Sequence, residues 1–266
     1  MNGVRFYRDA DLPFFELKLC DASYLCYKKH SHEEYSLGIV EHGKSSFWCE
    51  GKVTEVSPKT TVLIPPGLIH SCNPDRQGRW QYKMFFIEAG WMQRFLTSKG
   101  IAVSNRPVVS DMTTLSAQRA LHALLESLAQ QASPLEKEAG VMALFEQVVG
   151  SMEPVGNCRK VIEVPKLKMI KDYLHNNYLK KITLEELETI SGLNKFAIIR
   201  AFKEEFNIPP HTYQTLLRIN YAKKLLRQNR QIVEVACEAG FYDQSHFHKV
   251  FKSHTGVTPE KYQRLK

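Results

Sequence analysis

The sequence predicts an α+β chain: an N-terminal β-barrel followed by amphipathic helices, then an all-α domain in which a long helix joins two helix-turn-helix units. Three observations carry this reading. Short β-rich apolar runs lie between residues 24 and 87, the period becomes helical after about residue 91, and a helical text at 192–213 returns at 240–262. The expected division is 1–150, a linker at 151–165, and 166–266.

The strands come first. "YSLGIV" (35–40), "SSFWC" (45–49) and "TTVLIP" (60–65) are separated by "EHGK", "CEGK" and "SPK", and "WQYKMFFI" (80–87) adds a further strand with partial alternation. Short strands at even spacing with Gly and Pro turns suggest a sandwich or barrel. Helical spacing follows: Leu121, Leu124, Leu125 and Leu128 share one face, and Met142, Phe145 and Val149 repeat the pattern. Between them Ser133 is the expected N-cap, with Pro134 at the first helical position. "GSMEPVGNCRKVIEVP" (150–165) then marks the linker through Pro, Gly, Asn and a shift of charge.

In the first copy of the duplicated text, Thr183 opens a capping box with Glu186, Gly192 stops that helix, and Asn194 caps "KFAIIRAFKEEF". In the second, Gly240 follows "IVEVACEA" and Asp243 caps "QSHFHKVFKSH". Phe202 matches Phe251, Lys203 matches Lys252, Pro210 matches Pro259, and Tyr213 matches Tyr262. Helix, tight Gly-containing turn, helix is the helix-turn-helix arrangement. "HTYQTLLRINYAKKLLRQNR" (211–230) runs between the units without Pro or Gly. About twenty residues at roughly 1.5 Å each give a rod of roughly 30 Å. Successive major-groove faces on one side of B-DNA lie roughly 34 Å apart.

Charge agrees. Residues 159–266 hold 20 Lys+Arg and 11 Asp+Glu, a net of +9, whereas residues 1–158 hold 16 and 17, a net of −1. The excess in the C-terminal part suggests a polyanionic partner.

On these residues, 166–266 resembles the DNA-binding domain of AraC/XylS-type transcription regulators, most closely over "EVACEAGFYDQSHFHKVFKSHTGVTPEKY" (234–262). The first copy departs from the family pattern, with Glu188 for a small Ala and Asn207 for Gly. The resemblance implies base-reading positions at Phe196, Ile199 and Arg200 in the first recognition helix, and at Gln244, Ser245, His248 and Lys249 in the second. Arg and Lys suit guanine O6/N7, Gln suits adenine, and apolar groups suit a thymine methyl. Lys203, Arg218, Lys223 and Lys252 are expected on phosphates. Ile198, Phe202, Phe247 and Phe251 are assigned to the core.

"HSHEEYSLGIVEHG" (30–43) and "PPGLIHSCN" (65–73) resemble the two motifs of cupins, small β-barrels. His30, His32 and His70 match the three histidines with which cupin enzymes commonly hold a metal, but the glutamate position falls on Ser36 or Leu37. No metal and no cofactor are therefore expected. The implied architecture joins a sensor barrel to the DNA domain, and the expected effector pocket is His32, Glu34, Ser36, Trp48 and His70. The resemblance implies double-stranded DNA, a small-molecule effector, a second copy of the chain and RNA polymerase as partners. The alternatives are a metal-dependent cupin enzyme fused to a DNA-binding module, or a regulator with no ligand.

No window approaches a membrane span, no secretory h-region is present, and six scattered cysteines lack a CxxC pair; a cytoplasmic protein is expected. No phosphate loop, GxSxG or Cys–His nucleophile pair is found, and "HEEY" lacks the second histidine of a zinc-protease motif, so no catalysis is expected.

Overall fold

The computed structural model describes residues 3–22, 27–74, 79–101, 106–111, 114–130, 132–150 and 165–264. Of the expected linker at 151–165, residues 151–164 lie outside the described residues, and Pro165 already opens a helix.

Two antiparallel sheets form the N-terminal part. Strands β1 (Gly3–Arg8), β2 (Phe15–Ala22), β8 (Trp80–Ile87), β3 (Tyr35–His42), β6 (Thr60–Ile64) and β9 (Val108–Asp111) lie side by side in that order. The smaller sheet orders β5 (Lys52–Val56), β4 (Ser45–Cys49) and β7 (His70–Pro74). An isolated bridge between His30 and His70 ties the loop before β3 to the smaller sheet. The sheet starts at Gly3, before the run of strands expected from residue 24, because β1 and β2 pair in register from Gly3↔Asp21 to Arg8↔Glu16. β9 interrupts the stretch read as wholly helical, since Thr60–Leu63 offers it an edge.

The two sheets and the helices that follow make separate cores. Leu17, Leu37, Phe85 and Ile87 face α1 (Ala89–Ser98), α2 (Leu115–Ala129) and α3 (Pro134–Gly150), where Leu124, Val141, Leu144 and Phe145 are buried with them. Residues two apart on a strand share a face. The opposite faces therefore turn Phe47, Val56, Val62, Ile64, Trp80, Tyr82 and Phe86 into the barrel interior. Ser133 caps α3 through a reciprocal pair with Glu136, with Pro134 at its first position, as the sequence requires. Met142 corrects the expected helical face: it is exposed, and α3 packs through Val141, Leu144, Phe145, Val148 and Val149 instead.

The helical domain comprises α4 (Pro165–Asn177), α5 (Leu184–Ser191), α6 (Lys195–Phe206), α7 (Pro210–Arg227), α8 (Ile232–Glu238), α9 (Gln244–Thr255) and α10 (Pro259–Gln263). Thr183 and Glu186 make the expected capping box on α5, and Gly192 closes that helix in the left-handed region at φ 63°. Asn194 caps α6 and Asp243 caps α9 through backbone N–H groups three residues on. Both departures from the family text have a physical reading. Asn207 ends α6 at φ 59°, a conformation Asn tolerates better than most residues. Glu188 reaches across the turn to accept a hydrogen bond from the Lys195 N–H at 2.5 Å, placing a carboxylate at the N-terminus of α6.

Candidate nucleic-acid surface and ligand cavity

The two recognition helices bury corresponding faces. Ile198, Phe202, Phe247 and Phe251 are fully buried and lock α6 and α9 onto their partner helices. With one face committed, the other projects outward. Phe196 is 76% exposed, Ile199 is at the margin of exposure, and Arg200 is exposed beside Glu204 at 3.9 Å. That pair, exposed on both sides, contributes little. On α9, Gln244, Ser245 and Lys249 are exposed. His248 is half-buried, its Nε2 2.9 Å from a Glu260 carboxylate oxygen but without hydrogen-bond alignment, so it faces the last helix as much as solvent. Lys203 and Lys252 are exposed at matching positions.

Arg218 and Lys223 are corrections. The Arg218 guanidinium donates to the backbone carbonyls of Tyr178 (2.7 Å), Lys180 (2.9 Å) and Gly240 (2.5 Å), so it cements the second unit to the loop after α4. Lys223 is buried, its Nζ 3.5 Å from Glu34 Oε1 and 5.4 Å from the Phe86 ring centroid. Both cations serve the protein's interior in this arrangement.

Lys223 belongs to a charged seam where α7 meets the barrel. Buried Glu16 accepts hydrogen bonds from Arg8 (2.6 Å), Arg227 (3.1 Å) and the Tyr262 hydroxyl (3.1 Å). Arg227 also donates to Glu34 at 3.3 Å. Burial opposes both carboxylates' charge, but the cations win: Glu16 is held below the usual range, and Lys223 and Arg227 hold Glu34 down to about 2. The Phe6 and Tyr262 rings meet edge-on at 5.3 Å, and Lys18 Nζ donates to the Thr255 carbonyl at 3.1 Å. The barrel core and the second helix-turn-helix core are thus continuous.

Between the sheets lies a cavity of about 50 Å³ bordered by Lys18, Tyr27, His30, His32, His70 and Tyr82, among apolar neighbours. Of the five expected pocket residues, His32 and His70 line it. Glu34 does not: it faces α7 and borders a separate 500 Å³ cleft shared by the barrel and Lys224 and Arg227. Trp48 does not either. On β4 it is Phe47 that turns inward, leaving Trp48 under the Lys29 ammonium and against the Ile69, Ile208 and Leu216 cluster. Ser36 is buried but stops short of the cavity wall, its hydroxyl without a partner. Lys18 was missed. It sits on β2 among alternating inward polar residues, and burial lowers its ammonium to about 8. Trp80, Tyr82, Met84 and Phe86 were also missed, although their spacing of two along β8 carried the signal.

The three histidines converge. Their rings are 4.5–5.1 Å apart between centroids. Burial, followed by repulsion from neighbouring cationic forms, pushes His30 and His32 well below the ordinary value; burial lowers His70 to about 4. All three are neutral imidazoles at pH 7.

Two family models match this chain, that of the AraC-like ligand binding domain over residues 19–145 and that of a helix-turn-helix domain over 187–265. A ligand-binding barrel ahead of paired helix-turn-helix units defines the class: the chain is an AraC-type DNA-binding transcription regulator with an N-terminal ligand-binding domain. It belongs to the AraC family. It is similar to the uncharacterised HTH-type regulator YbfI of Bacillus subtilis, 27% identical over 83% of this chain and 81% of that one. It is also similar to the probable transcriptional regulator LumQ of Photobacterium leiognathi, 25% identical over 94% and 96% of the two chains. Crystal structures of ToxT from Vibrio cholerae share the fold, one of them at 14% identity with a TM-score of 0.59 over 94% of this chain and 97% of that one. Another, with a TM-score of 0.58 and 15% identity over 94% and 95% of the two chains, is described as bound to an unsaturated fatty acid.

No described helix is long and apolar enough to cross a membrane.

Proposed function

We propose that α6 and α9 enter successive major grooves of one duplex, and that a small molecule bound in the barrel controls how the DNA domain is held. The observation that carries this is the matched exposure of Arg200 on α6 and Gln244 and Lys249 on α9, each helix capped and its opposite face buried. Phe196 and Ile199 offer apolar contact to thymine methyls, Ser245 and His248 lie on the same side of α9, and Lys203 and Lys252 serve phosphates. The protein acts as a homodimer through α2 and α3, where Leu115, Leu135 and Met142 are exposed, and works with RNA polymerase in the cytoplasm. Its role is regulatory, with no turnover.

The effector is an acid. Lys18 is a buried ammonium at the cavity wall, with backbone and aromatic neighbours in hydrogen-bond or cation–π reach. A ToxT structure is described with a fatty acid, which makes the carboxylate the favoured class. At about 50 Å³ the cavity holds a few waters. A larger guest must displace Met84, Phe86 or Lys18, and Lys18 is hydrogen-bonded to the DNA domain. That gives a ligand different affinities for the docked and released states, which control requires. The same small volume favours a second reading, a regulator without an organic effector.

Native mass spectrometry of the purified chain tests the effector and dimer readings. A dimer carrying a small acid supports both; a bare chain across expression conditions moves weight to the second reading. Arg200→Ala tests base reading. It should cost about 1–3 kcal/mol on the preferred site and relax specificity at one base pair. Equal loss on every sequence would make Arg200 a phosphate contact.

A further inference from the structure

The three histidines of the barrel are built as ligands. His30 Nδ1 lies 2.7 Å from the Lys28 carbonyl and His70 Nδ1 lies 2.9 Å from the Leu68 carbonyl. A carbonyl only accepts, so each neutral ring carries its proton on Nδ1 and leaves the Nε2 lone pair free. A hydrogen bond from the second ring nitrogen to a backbone carbonyl is the arrangement that orients metal-ligating histidines. Among the described residues neither Nε2 atom has a hydrogen-bond partner, and both rings border the cavity.

The backbone fixes all three residues as well. His30 and His70 exchange both main-chain hydrogen bonds at 2.9 Å, and the Gly67 N–H donates to the His32 carbonyl at 2.7 Å. One ligand atom from each ring lies within 4.8 Å of the others. Zinc–nitrogen bonds of about 2.0–2.1 Å in tetrahedral geometry put nitrogens about 3.3 Å apart, so each ring need move by no more than about 0.9 Å. Of the nearby cations, Lys18 is turned to the Thr255 carbonyl and the Tyr27 ring, and Lys223 to Glu34.

We propose that His30, His32 and His70 form a site for one zinc-class divalent ion, with the fourth position left open to water or to a donor atom of a bound molecule. Three neutral imidazoles suit zinc, cobalt, nickel, copper or iron. Ser36 and Leu37 stand at the position of the missing carboxylate, so neither supplies a carboxylate as fourth ligand. His30 and His32 also border a cavity of about 30 Å³ against Leu216, Ile219, Asn220 and Lys223 of α7. The ion would sit one layer from the helix that carries both recognition units. The proposal is independent of the effector reading, since an organic guest can be found with or without the ion.

The test uses the full chain, stripped with a chelator and dialysed, then titrated with Zn²⁺ and with Co²⁺ as a spectroscopic probe. The expected result is one ion per chain, Co²⁺ d–d bands of a four-coordinate nitrogen-rich site, and a thermal midpoint raised by Zn²⁺. His32→Gln is the decisive variant because His32 lies in the loop before β3 and is the least buried of the three histidines. It should weaken Zn²⁺ binding at least about tenfold and abolish the thermal shift. His70→Gln should do the same, while His211→Gln on exposed α7 should change neither. Uptake well below one ion per chain, or a His32→Gln chain that binds as well as the parent, overturns the proposal.

Discussion

The two helix-turn-helix units solve the same structural problem by different means. The first is specified locally. α5 and α6 both carry side-chain N-caps, Glu188 bridges the turn, and Leu187, Ile198 and Phe202 pack with α4 in a small core of their own. The second relies on the rest of the molecule. α8 starts at Gln231 without a side-chain cap, and Phe247, Phe251 and Tyr262 share one core with the barrel strands. Yet the second is the copy closer to the family text. The family signature in this chain therefore encodes tertiary packing more than self-sufficient helices, and the copy that departs from it has added local devices.

The largest test of this difference is a pair of cavity mutations. Phe202→Ala and Phe251→Ala should each cost about 3–5 kcal/mol by denaturant unfolding. Amide exchange in β1 and β2 separates the two: Phe251→Ala should raise it through Tyr262 and Phe6. Phe202 touches Phe206 and Tyr213, which pack near Trp48 and Ile69 instead, so Phe202→Ala should leave β1 and β2 unchanged. The turn glycines give a smaller contrast. A Cβ at Gly240 would lie 2.7 Å from the Leu179 carbonyl oxygen and 3.0 Å from Arg218 Cζ, at φ +76°. At Gly192, φ +63°, its nearest neighbour would be Lys166 Nζ at 3.9 Å. Gly240→Ala should cost about 2–4 kcal/mol, and Gly192→Ala about 1 kcal/mol for the left-handed backbone alone.

Acid provides the smallest contrast per residue. His30, His32, His70 and the α9 residue His254 are all lowered by burial, and α5 and α6 of the first unit contain no histidine. Depressed histidines stay neutral in the folded chain while the unfolded chain takes up protons below about pH 6.5, so stability falls as pH falls. Between pH 7 and pH 6 the loss should be about 0.7 kcal/mol for each strongly depressed histidine, about 2–2.5 kcal/mol in all, by thermal or urea unfolding. Glu34, held at about 2, adds a further loss once pH drops below about 4.5, because its charged form is what Lys223 and Arg227 stabilise. Amide exchange across this range should rise first in α9 and the barrel seam and last in α5 and α6.

The sequence's punctuation was the most legible layer. Thr183, Asn194, Asp243, Ser133 and Gly192 each stand where a cap or stop is required, since these signals depend on one or two neighbours. The recognition-helix cores were legible for the same reason, through spacing. The pocket was legible only in part. Trp48 faces away because one residue of register exchanges strand faces, and that register is set by β4 pairing from Ser45↔Pro74 to Cys49↔His70. Glu34 precedes β3 and is drawn outward by Lys223 and Arg227 of α7. Lys18 escaped notice because a cation among alternating apolar residues reads as the solvent side of a strand. Arg218 and Lys223 read as phosphate ligands until their partners, two loop carbonyls and Gly240 for one and Glu34 for the other, came from segments remote in sequence.

The claim that both units read one duplex is tested most directly by half-site spacing. α7 has 18 helical residues, a rod of roughly 27 Å at about 1.5 Å each. Binding of the full chain would be measured by titration on its selected operator and on the same operator with five base pairs inserted between half-sites. The account predicts contacts about one helical turn apart, with Arg200 protecting one half-site and Gln244 the other, and a loss of at least about tenfold on insertion. Unchanged affinity, or both residues protecting the same half-site, would contradict it.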